Sequence, residues 1–371
     1  MCKKTFLVLM VLLCWGVVSV SAVAGDLTAG MKTGTVELQS IGPLAFGPDG
    51  ILFISDPKAA AIYAIQTKVG KSSSPDREIH VKEVGAKIAA SLGTTADKIL
   101  IHDMAVNPDA GLGAYKVYLS ASDGRGPDAA PVLFGMMRSG EIHPIDLKKV
   151  RFSKTELPNP PEFRQSRRGD PRLLSITDMA YVEGRVFIAG LSNEEFASNL
   201  RSIRFPFAKM DNGTSIEIFH GAHGKFETRS PVRTFANYRI GDEAYLLAAY
   251  TCTPLVKIPI NQLEAGKKIV GTTIAELGNR NRPLDMFVYR KDGKDFILMA
   301  NSSRGMMKIT TDNIDKINGI TEKISGTAGL SYDTLEGLDS VLQLDRLDEN
   351  HALILVKSQK GSLDIETIPL P

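Results

Sequence analysis

The chain is poor in cysteine, with 3 cysteines in 371 residues, and it contains a single tryptophan. Two of the cysteines, Cys2 and Cys14, lie in an apolar N-terminal segment, so Cys252 stands alone in the rest of the chain. One cysteine cannot form an intramolecular disulfide. The sequence therefore predicts a fold that is stabilised by its hydrophobic core and not by cross-links.

Long apolar runs are lacking after the N-terminus. Lys3 and Lys4 precede the apolar run at residues 5–20, and the Ala-Val-Ala sequence at 22–24 is an A-x-A cleavage pattern. This layout predicts a signal peptide at 1–24, one domain at 25–371, and a periplasmic or secreted protein. The alternative is an uncleaved anchor, but the run is shorter than the roughly 20 residues a spanning helix needs. No later segment predicts a membrane span.

An excess of charge of one sign is also lacking, because 44 Lys and Arg stand against 42 Asp and Glu. A balanced chain gives no electrostatic reason to expect nucleic acid as a partner. The sequence contains no G-x-S-x-G, H-E-x-x-H, P-loop, C-x-x-C-H or EF-hand pattern, so none of the chemistry that these motifs mark is predicted.

A repeat runs through the chain. Residues 234–259 and 285–310 align without a gap, sharing Tyr-Arg, a turn, an apolar strand, an alanine, a polar loop and Lys-Ile. Shorter copies make six units in all. Their starting residues are Pro43, Asp103, Asp178, Thr234, Asp285 and Val341.

Each unit has the pattern of a small antiparallel sheet. A short apolar run, a Gly or Asp turn, a second apolar run, a polar loop and a third strand follow one another, with a weaker fourth strand. This pattern predicts an all-β propeller with six blades, and seven is the alternative because the stretch from Asp103 to Asp178 is long. A sandwich does not predict gapless repeats, and a solenoid has shorter units. Residues 81–92 have helical spacing and predict a short helical insertion between blades 1 and 2.

The unit PLAFGPDGILFISDPKAAAIYAI at 43–65 resembles the repeats of the NHL and regucalcin/gluconolactonase propeller superfamily, and the likeness of pattern extends over the mature chain. In the regucalcin group this resemblance implies a divalent metal over the central channel, held by Glu, Asn and Asp ligands. Here Ile41 stands in place of the Glu, His102-Asp103 in place of an Asn-Asp pair, and Asp285 in place of an Asn. The metal-ligand pattern is therefore altered, and the resemblance implies the fold more than the lactonase reaction.

Propeller geometry gathers the loops that enter the innermost strands around one funnel. Asp103, Asp178 and Asp285 occupy one repeat position and are predicted to converge there. Converging carboxylates need a cation, a proton or arginine partners. Either they act as ligands of Ca²⁺ or Mg²⁺ or as a catalytic base, or each accepts backbone N–H groups and holds its blade to the next.

Histidine and cysteine supply a second candidate site. His220 and His223 are three apart between glycines, and His102 and Cys252 fall on the same predicted face. A His₂Cys or His₃ set suits zinc or copper. We predict one divalent metal (Ca, Mg, Zn or Cu) or none, since the histidines could also be exposed loop residues. An exposed Cys252 beside histidine would alternatively be a nucleophile. The predicted metal ligands are His102, Asp103, His220, His223, Cys252 and Asp285.

Two classes of function remain open at this point. One is a metal-assisted hydrolase or oxidoreductase acting on a small molecule, in which Arg282 or Arg304 holds a substrate anion unless it pairs with a neighbouring carboxylate. The other is a non-catalytic scaffold whose funnel face binds a small-molecule ligand or a protein partner. The sequence does not decide between an enzyme and a binding protein.

Overall fold

The structure is a computed structural model that describes residues 26–70, 78–126, 128–164 and 169–371. The predicted signal peptide at 1–24 lies outside these ranges. A helix with the length and apolar character needed to cross a bilayer is not found in the ranges described.

Among the described residues of the first half, one α-helix, α1 (Val84–Leu92), lies in the segment between the first two blades, as predicted. The strands of this half are β1 (Lys32–Gly34), β2 (Leu44–Phe46), β3 (Ile51–Asp56), β4 (Ala61–Gln66), β5 (His80–Val81), β6 (Ile99–Val106), β7 (Val117–Asp123), β8 (Ala130–Met136), β9 (Ile142–Pro144), β10 (Val150–Glu156), β11 (Asp178–Val182) and β12 (Arg185–Leu191).

The second half is made of strands joined by loops. They are β13 (Ser198–Arg204), β14 (Thr214–His220), β15 (Lys225–Glu227), β16 (Val232–Ile240), β17 (Glu243–Tyr250), β18 (Cys252–Pro259), β19 (Lys268–Asn281), β20 (Pro283–Lys291), β21 (Lys294–Asn301), β22 (Gly305–Thr310), β23 (Thr327–Gly329), β24 (Tyr332–Thr334), β25 (Val341–Arg346), β26 (His351–Lys357) and β27 (Leu363–Pro369). Short 3₁₀ turns lie at Pro48–Gly50, Ala96–Lys98, Pro171–Leu174 and Ile260–Gln262.

In the described residues these strands form six antiparallel blades, which confirms the six-bladed propeller. Blade 1 is β2-β3-β4-β10 with β1 at its edge, and blade 2 is β6-β7-β8-β9. Blade 3 is β11-β12-β13-β14, blade 4 is β16-β17-β18-β19, blade 5 is β20-β21-β22-β24, and blade 6 is β25-β26-β27-β5. Blades 3 and 4 are joined at their outer edges, where β14 pairs in parallel with β19.

The blades do not follow one another around the ring in chain order. The innermost strands adjoin in the sequence β2, β11, β16, β20, β25, β6 and back to β2, so the ring order is blades 1, 3, 4, 5, 6 and 2. The chain leaves blade 1 after three strands, adds β5 to blade 6, builds blade 2, and returns as β10 to complete blade 1. Blade 2 is therefore an insertion within blade 1.

Each interface between neighbouring blades contains its own apolar cluster, and these clusters make up the core. Phe53 and Val186, for example, belong to the cluster between blades 1 and 3, and Leu119 and Leu353 to the cluster between blades 2 and 6. The other four clusters fill the interfaces 3–4, 4–5, 5–6 and 1–2. Because the second strand of a blade is covered on both sides, it reads as a continuous apolar run, as in β3.

The short strand β5 closes blade 6 through Thr367. The Ile79 N–H donates to Thr367 Oγ1 (2.8 Å) and the Thr367 N–H donates to the Ile79 carbonyl (2.9 Å). Thr367→Val leaves the buried Ile79 N–H without its side-chain acceptor, so we expect the free energy of unfolding to fall by about 1–3 kcal/mol. Urea denaturation measures the change. The exposed control Thr321→Val should have no comparable effect, and equal effects of the two variants would contradict this account of the closure.

Candidate functional site

The innermost strands of all six blades enclose a central channel of about 1090 Å³. Its lining includes the carboxylates of Asp103, Asp178, Asp285 and Asp345. The first three were predicted to share a repeat position. In blades 2 and 5 that position directly follows a bulge in the first strand, between Ile101 and Asp103 and between Pro283 and Asp285.

Each of the three predicted aspartates holds its own blade to the next. Each carboxylate accepts the N–H of the following residue through Oδ1, at 2.7–2.8 Å. The Oδ2 atoms accept the N–H of Leu44 (2.6 Å, to Asp103), Phe235 (2.7 Å, to Asp178) and Leu344 (2.9 Å, to Asp285). The sequence allowed either a metal-binding or catalytic role or a structural one, and the geometry shows the structural role, in which each carboxylate binds the neighbouring blade.

The carboxylates stand on alternate blades around the ring, namely 3, 5 and 2. The bulges of blades 4 and 6 are followed instead by Thr234 and Gln343. Gln343 Nε2 donates to the carbonyl of His102 in blade 2 (3.0 Å), so this position also links neighbouring blades. The arrangement is an approximate threefold pattern in a ring of six.

Asp345 also lies in the channel lining and was not predicted from the sequence. It lies two residues after Gln343, on the same side of β25, and its Oδ2 accepts the N–H of Val106 in blade 2 (2.7 Å). The last repeat, VLQLDRLDEN, places its aspartate two positions late relative to the other units. The position shared with the other units is held by Gln343, so the repeat gave no signal for Asp345.

Burial in the channel shifts the ionisation of all four carboxyls upward. It raises the pKa of Asp178 to about 7 and that of Asp345 to about 6. Burial also raises the pKa of Asp103 and of Asp285 well above the ordinary value, and the nearby carboxylates add to the shift. The channel wall thus carries carboxyls whose pKa values lie above the ordinary range.

The remaining residues predicted for the funnel lie outside the channel lining. His102 Nε2 contacts Ser122 Oγ (3.0 Å), and burial lowers the pKa of the imidazole. Arg304 donates to the hydroxyl of Tyr332 (3.1 Å) and to the Asn279 carbonyl (3.2 Å), and Arg282 is exposed at the rim. These residues do not face the four carboxylates as one site.

His220, His223 and Cys252 do come together. One potential ligand atom from each residue lies within 4.8 Å of those from the other two. Among the described residues, these three therefore form a cluster of side chains that could hold a metal ion. The predicted ligand set therefore divides: His102, Asp103 and Asp285 are not part of this cluster. The cluster is also not part of the channel lining. The predicted single funnel site is therefore corrected: the aspartates lie in the channel, and the histidine–cysteine cluster lies elsewhere.

A tight turn after β14 positions the two histidines. The N–H groups of His223 (3.1 Å) and Gly224 (2.8 Å) both donate to the His220 carbonyl. A Cβ on Gly221 would lie 2.8 Å from Glu276 Oε1, so a larger residue there would displace this buried side chain. His220 is thereby buried against blade 4, whereas the side chain of His223 is 49% exposed.

Glu227 on β15 orients both imidazoles and was not anticipated from the sequence. Its Oε2 lies 3.0 Å from His220 Nδ1 and its Oε1 lies 2.6 Å from His223 Nδ1. Although burial opposes ionisation, the hydrogen bonds from the two histidines hold the pKa of Glu227 below its usual value. When one carboxylate accepts both Nδ1–H groups, each Nε2 carries a lone pair, and that of His220 accepts the Thr253 hydroxyl, which would have to turn away before this atom bound a metal.

Cys252 completes the cluster from the first position of β18, in blade 4. It has φ = 91°, a left-handed conformation that is uncommon for a residue with a side chain. Its neighbour Thr253 lies with its hydroxyl 2.8 Å from His220 Nε2. Such backbone strain is concentrated at functional sites and supports a specific role for this thiol.

Beside the cluster, Glu276 is fully buried on β19. Its Oε1 accepts the Gly221 N–H (2.5 Å), while Oε2 has no hydrogen-bond partner in the part of the chain that the structure describes. This carboxylate fixes the turn that carries the histidines.

No family model and no curated protein match this chain. Solved structures are similar to it over most of its length. An oxidoreductase described as a glucose dehydrogenase from Thermus thermophilus is 10% identical, with 91% of this chain and 100% of that chain covered and a TM-score of 0.37. The PQQ-bound aldose sugar dehydrogenase of Streptomyces coelicolor is 12% identical, with coverages of 91% and 96% and a TM-score of 0.34.

A protein of a different kind is equally similar. The first two extracellular domains of Drosophila semaphorin 1b are 10% identical, with 91% and 88% of the chains covered and a TM-score of 0.37. Likenesses at this level assign neither an activity nor a family. The finer resemblance to the NHL and regucalcin/gluconolactonase group stays a prediction.

Proposed function

We propose that this protein is a metal-binding propeller whose His220–His223–Cys252 centre holds one zinc or copper ion. The observation that carries the proposal is the approach of two imidazoles and a thiol to within 4.8 Å of one another. In a tetrahedral zinc site the donor atoms are about 3.5 Å apart. The three donors would have to approach one another further to hold an ion.

The donor types favour a borderline or soft metal. Nitrogen and sulfur ligands suit zinc and copper, whereas Ca²⁺ and Mg²⁺ prefer oxygen. Glu227 supports the same choice, because histidine ligands of metals commonly donate their second N–H to a carboxylate.

Three protein ligands leave a coordination position for a small molecule. A metal held in this way acts as a Lewis acid on an oxygen of water or substrate. We therefore propose a metal-assisted hydrolase or oxidoreductase, in which the bound metal decides the class, since zinc has no redox chemistry of its own. We further propose a single domain at 25–371, secreted after loss of 1–24, that acts on a small-molecule ligand.

Metal content tests the proposal. We expect the purified protein, incubated with Zn²⁺ or anaerobically with Cu⁺ and then desalted, to retain one ion per chain. Cys252→Ser and His223→Ala should each weaken binding by at least about 100-fold, because each removes one of three ligands. His80→Ala, at an exposed histidine outside the cluster, is the matched control. Wild-type protein that retains neither metal, or variants that bind as well as wild type, would refute the centre and favour a non-catalytic scaffold.

The same cluster supports a second candidate, a thiol nucleophile. Cys252, a histidine and Glu227 reproduce the order of nucleophile, base and orienting carboxylate. This candidate requires rapid alkylation of Cys252 by iodoacetamide in chelator-treated protein, with a clear loss of rate in Glu227→Gln. Protein that binds no metal but shows this reactivity would favour thiol chemistry over the metal centre.

A further inference from the structure

Two arginines flank the residue that pairs with Cys252. Cys252, at the start of β18, is the strand partner of Asn281 at the end of β19, so Arg280 and Arg282 are the chain neighbours of that partner. Cα atoms of directly opposed residues lie about 4.5–5.5 Å apart in an antiparallel pair. Both arginines are exposed, so their guanidinium groups are within reach of a molecule bound beside the thiol.

Arg233 adds a third guanidinium from blade 4. It lies in the bulge of β16, directly after Val232, whose strand partner Tyr250 is two residues before Cys252. Burial, and then the like charge of the neighbouring Arg282, lower the pKa of Arg233 to about 10. Both side chains therefore keep their charge at neutral pH, and two cations stand close together here.

The donors of these three arginines are not used within the protein. Among the described residues, Arg233, Arg280 and Arg282 form no salt bridge and no side-chain hydrogen bond, and the Nε–H group of Arg233 is buried. Asp178 is the carboxylate that acts on Arg233, but its oxygens accept backbone N–H groups. Arg304, by contrast, is occupied by the hydroxyl and the carbonyl described above, so its role is structural.

The segment that carries the two exposed arginines is held in one shape. The Ser303 hydroxyl donates to the Arg280 carbonyl (2.6 Å), and the Ser302 N–H donates to the Arg282 carbonyl (3.0 Å). Asn281, between the two arginines, is buried. A site whose backbone is fixed in advance loses less conformational entropy when it binds a ligand.

We propose that Arg233, Arg280 and Arg282 form an anion-binding site, and that the substrate of the neighbouring centre is a small molecule bearing a carboxylate or phosphate group. Guanidinium groups bind both kinds of group through paired N–H donors. The assignment of the substrate class rests on the proposed function, whereas the anion site itself does not.

Binding of inorganic phosphate and of malonate to metal-free protein tests the site. Calorimetry on protein treated with a chelator and then desalted should detect binding of at least one of the two anions. Its affinity should fall by about 10-fold or more in Arg282→Gln, because a charge-assisted contact is lost. Arg204→Gln, at an exposed arginine at the other end of blade 3, is the matched control and should bind as the wild type does.

The anion that binds more tightly identifies the substrate group as a carboxylate or a phosphate. Wild-type protein that binds neither anion, or Arg282→Gln that binds as well as the wild type, would overturn the site.

Alkylation of Cys252 tests whether the site adjoins the thiol. Iodoacetate is an anion and iodoacetamide is neutral, and both alkylate a thiolate with loss of iodide. In metal-free protein, the rate with iodoacetate divided by the rate with iodoacetamide should fall by about 3-fold or more in Arg282→Gln, and it should not change in Arg204→Gln. An equal ratio in all three proteins would contradict the placement of the site beside Cys252.

These measurements separate the anion site from the metal centre, because they use metal-free protein. Protein that binds phosphate or malonate as expected but retains no metal would support the anion site and refute the centre. Protein that retains the metal but binds neither anion would keep the centre and refute this inference.

Discussion

Replacing Phe53 by alanine is expected to lower the free energy of unfolding by about 3–5 kcal/mol. Phe53 is fully buried in β3 of blade 1, and its ring contacts three aromatic rings at the interface with blade 3. The centroid distances are 5.9 Å to Tyr181, 5.0 Å to Phe205 and 6.0 Å to Phe207. Besides this apolar packing, the Ser175 hydroxyl, just before β11, donates to the Pro57 carbonyl, just after β3, across the same interface (2.8 Å).

Chemical denaturation of the purified variant measures this effect. Phe226→Ala is the matched control, because Phe226 is 53% exposed and its truncation should cost far less. A loss below about 1 kcal/mol for Phe53→Ala would contradict the burial of this ring at the interface.

Replacing Glu227 by glutamine is expected to weaken metal binding by about 10–100-fold. Both imidazoles donate Nδ1–H to this carboxylate, and an amide offers only one oxygen for the two. The imidazole that faces the amide nitrogen would lose its orientation and the basicity of its Nε2. Competition with a chromophoric chelator measures the affinity.

The control for this prediction is Glu264→Gln, which removes the charge of an exposed glutamate that pairs only with Lys267 among the salt bridges of the described chain. Its metal affinity should equal that of the wild type. If Glu227→Gln binds metal with wild-type affinity as well, the carboxylate does not position the ligands.

The blade architecture was predictable because it depends on patterns formed by residues that are close in the sequence. The turn at Pro48–Gly50, the apolar run of β3 and the gapless alignment of residues 234–259 with 285–310 are features of neighbouring residues. The helix between blades 1 and 2 was equally visible from its spacing. The one repeat position shared by Asp103, Asp178 and Asp285 likewise corresponds to one place in the channel.

The ring order was not predictable, because it depends on pairing between distant strands. The sequence shows β4 and β10 as separate strands, and nothing local indicates that β10 returns to β4 after a whole blade has intervened. The short β5 is similarly invisible, since two residues carry no periodicity.

The candidate site was predictable in part for the same reason. His220, His223 and Cys252 stood out as scarce residue types in predicted loops, and the structure brings them together. Their separation from the channel arises because β14, the outermost strand of blade 3, also pairs with β19 and so carries the histidines to the outer edge of blade 4. Glu227 was missed because its role depends on that displaced turn.

The central claim is that two imidazoles and one thiolate bind the same ion. X-ray absorption at the zinc edge of the loaded protein tests it most directly. We expect one sulfur at about 2.3 Å and two nitrogen ligands at about 2.0–2.1 Å, with the sulfur shell absent in Cys252→Ser. A first shell made only of oxygen and nitrogen in the wild type, unchanged in Cys252→Ser, would contradict the claim.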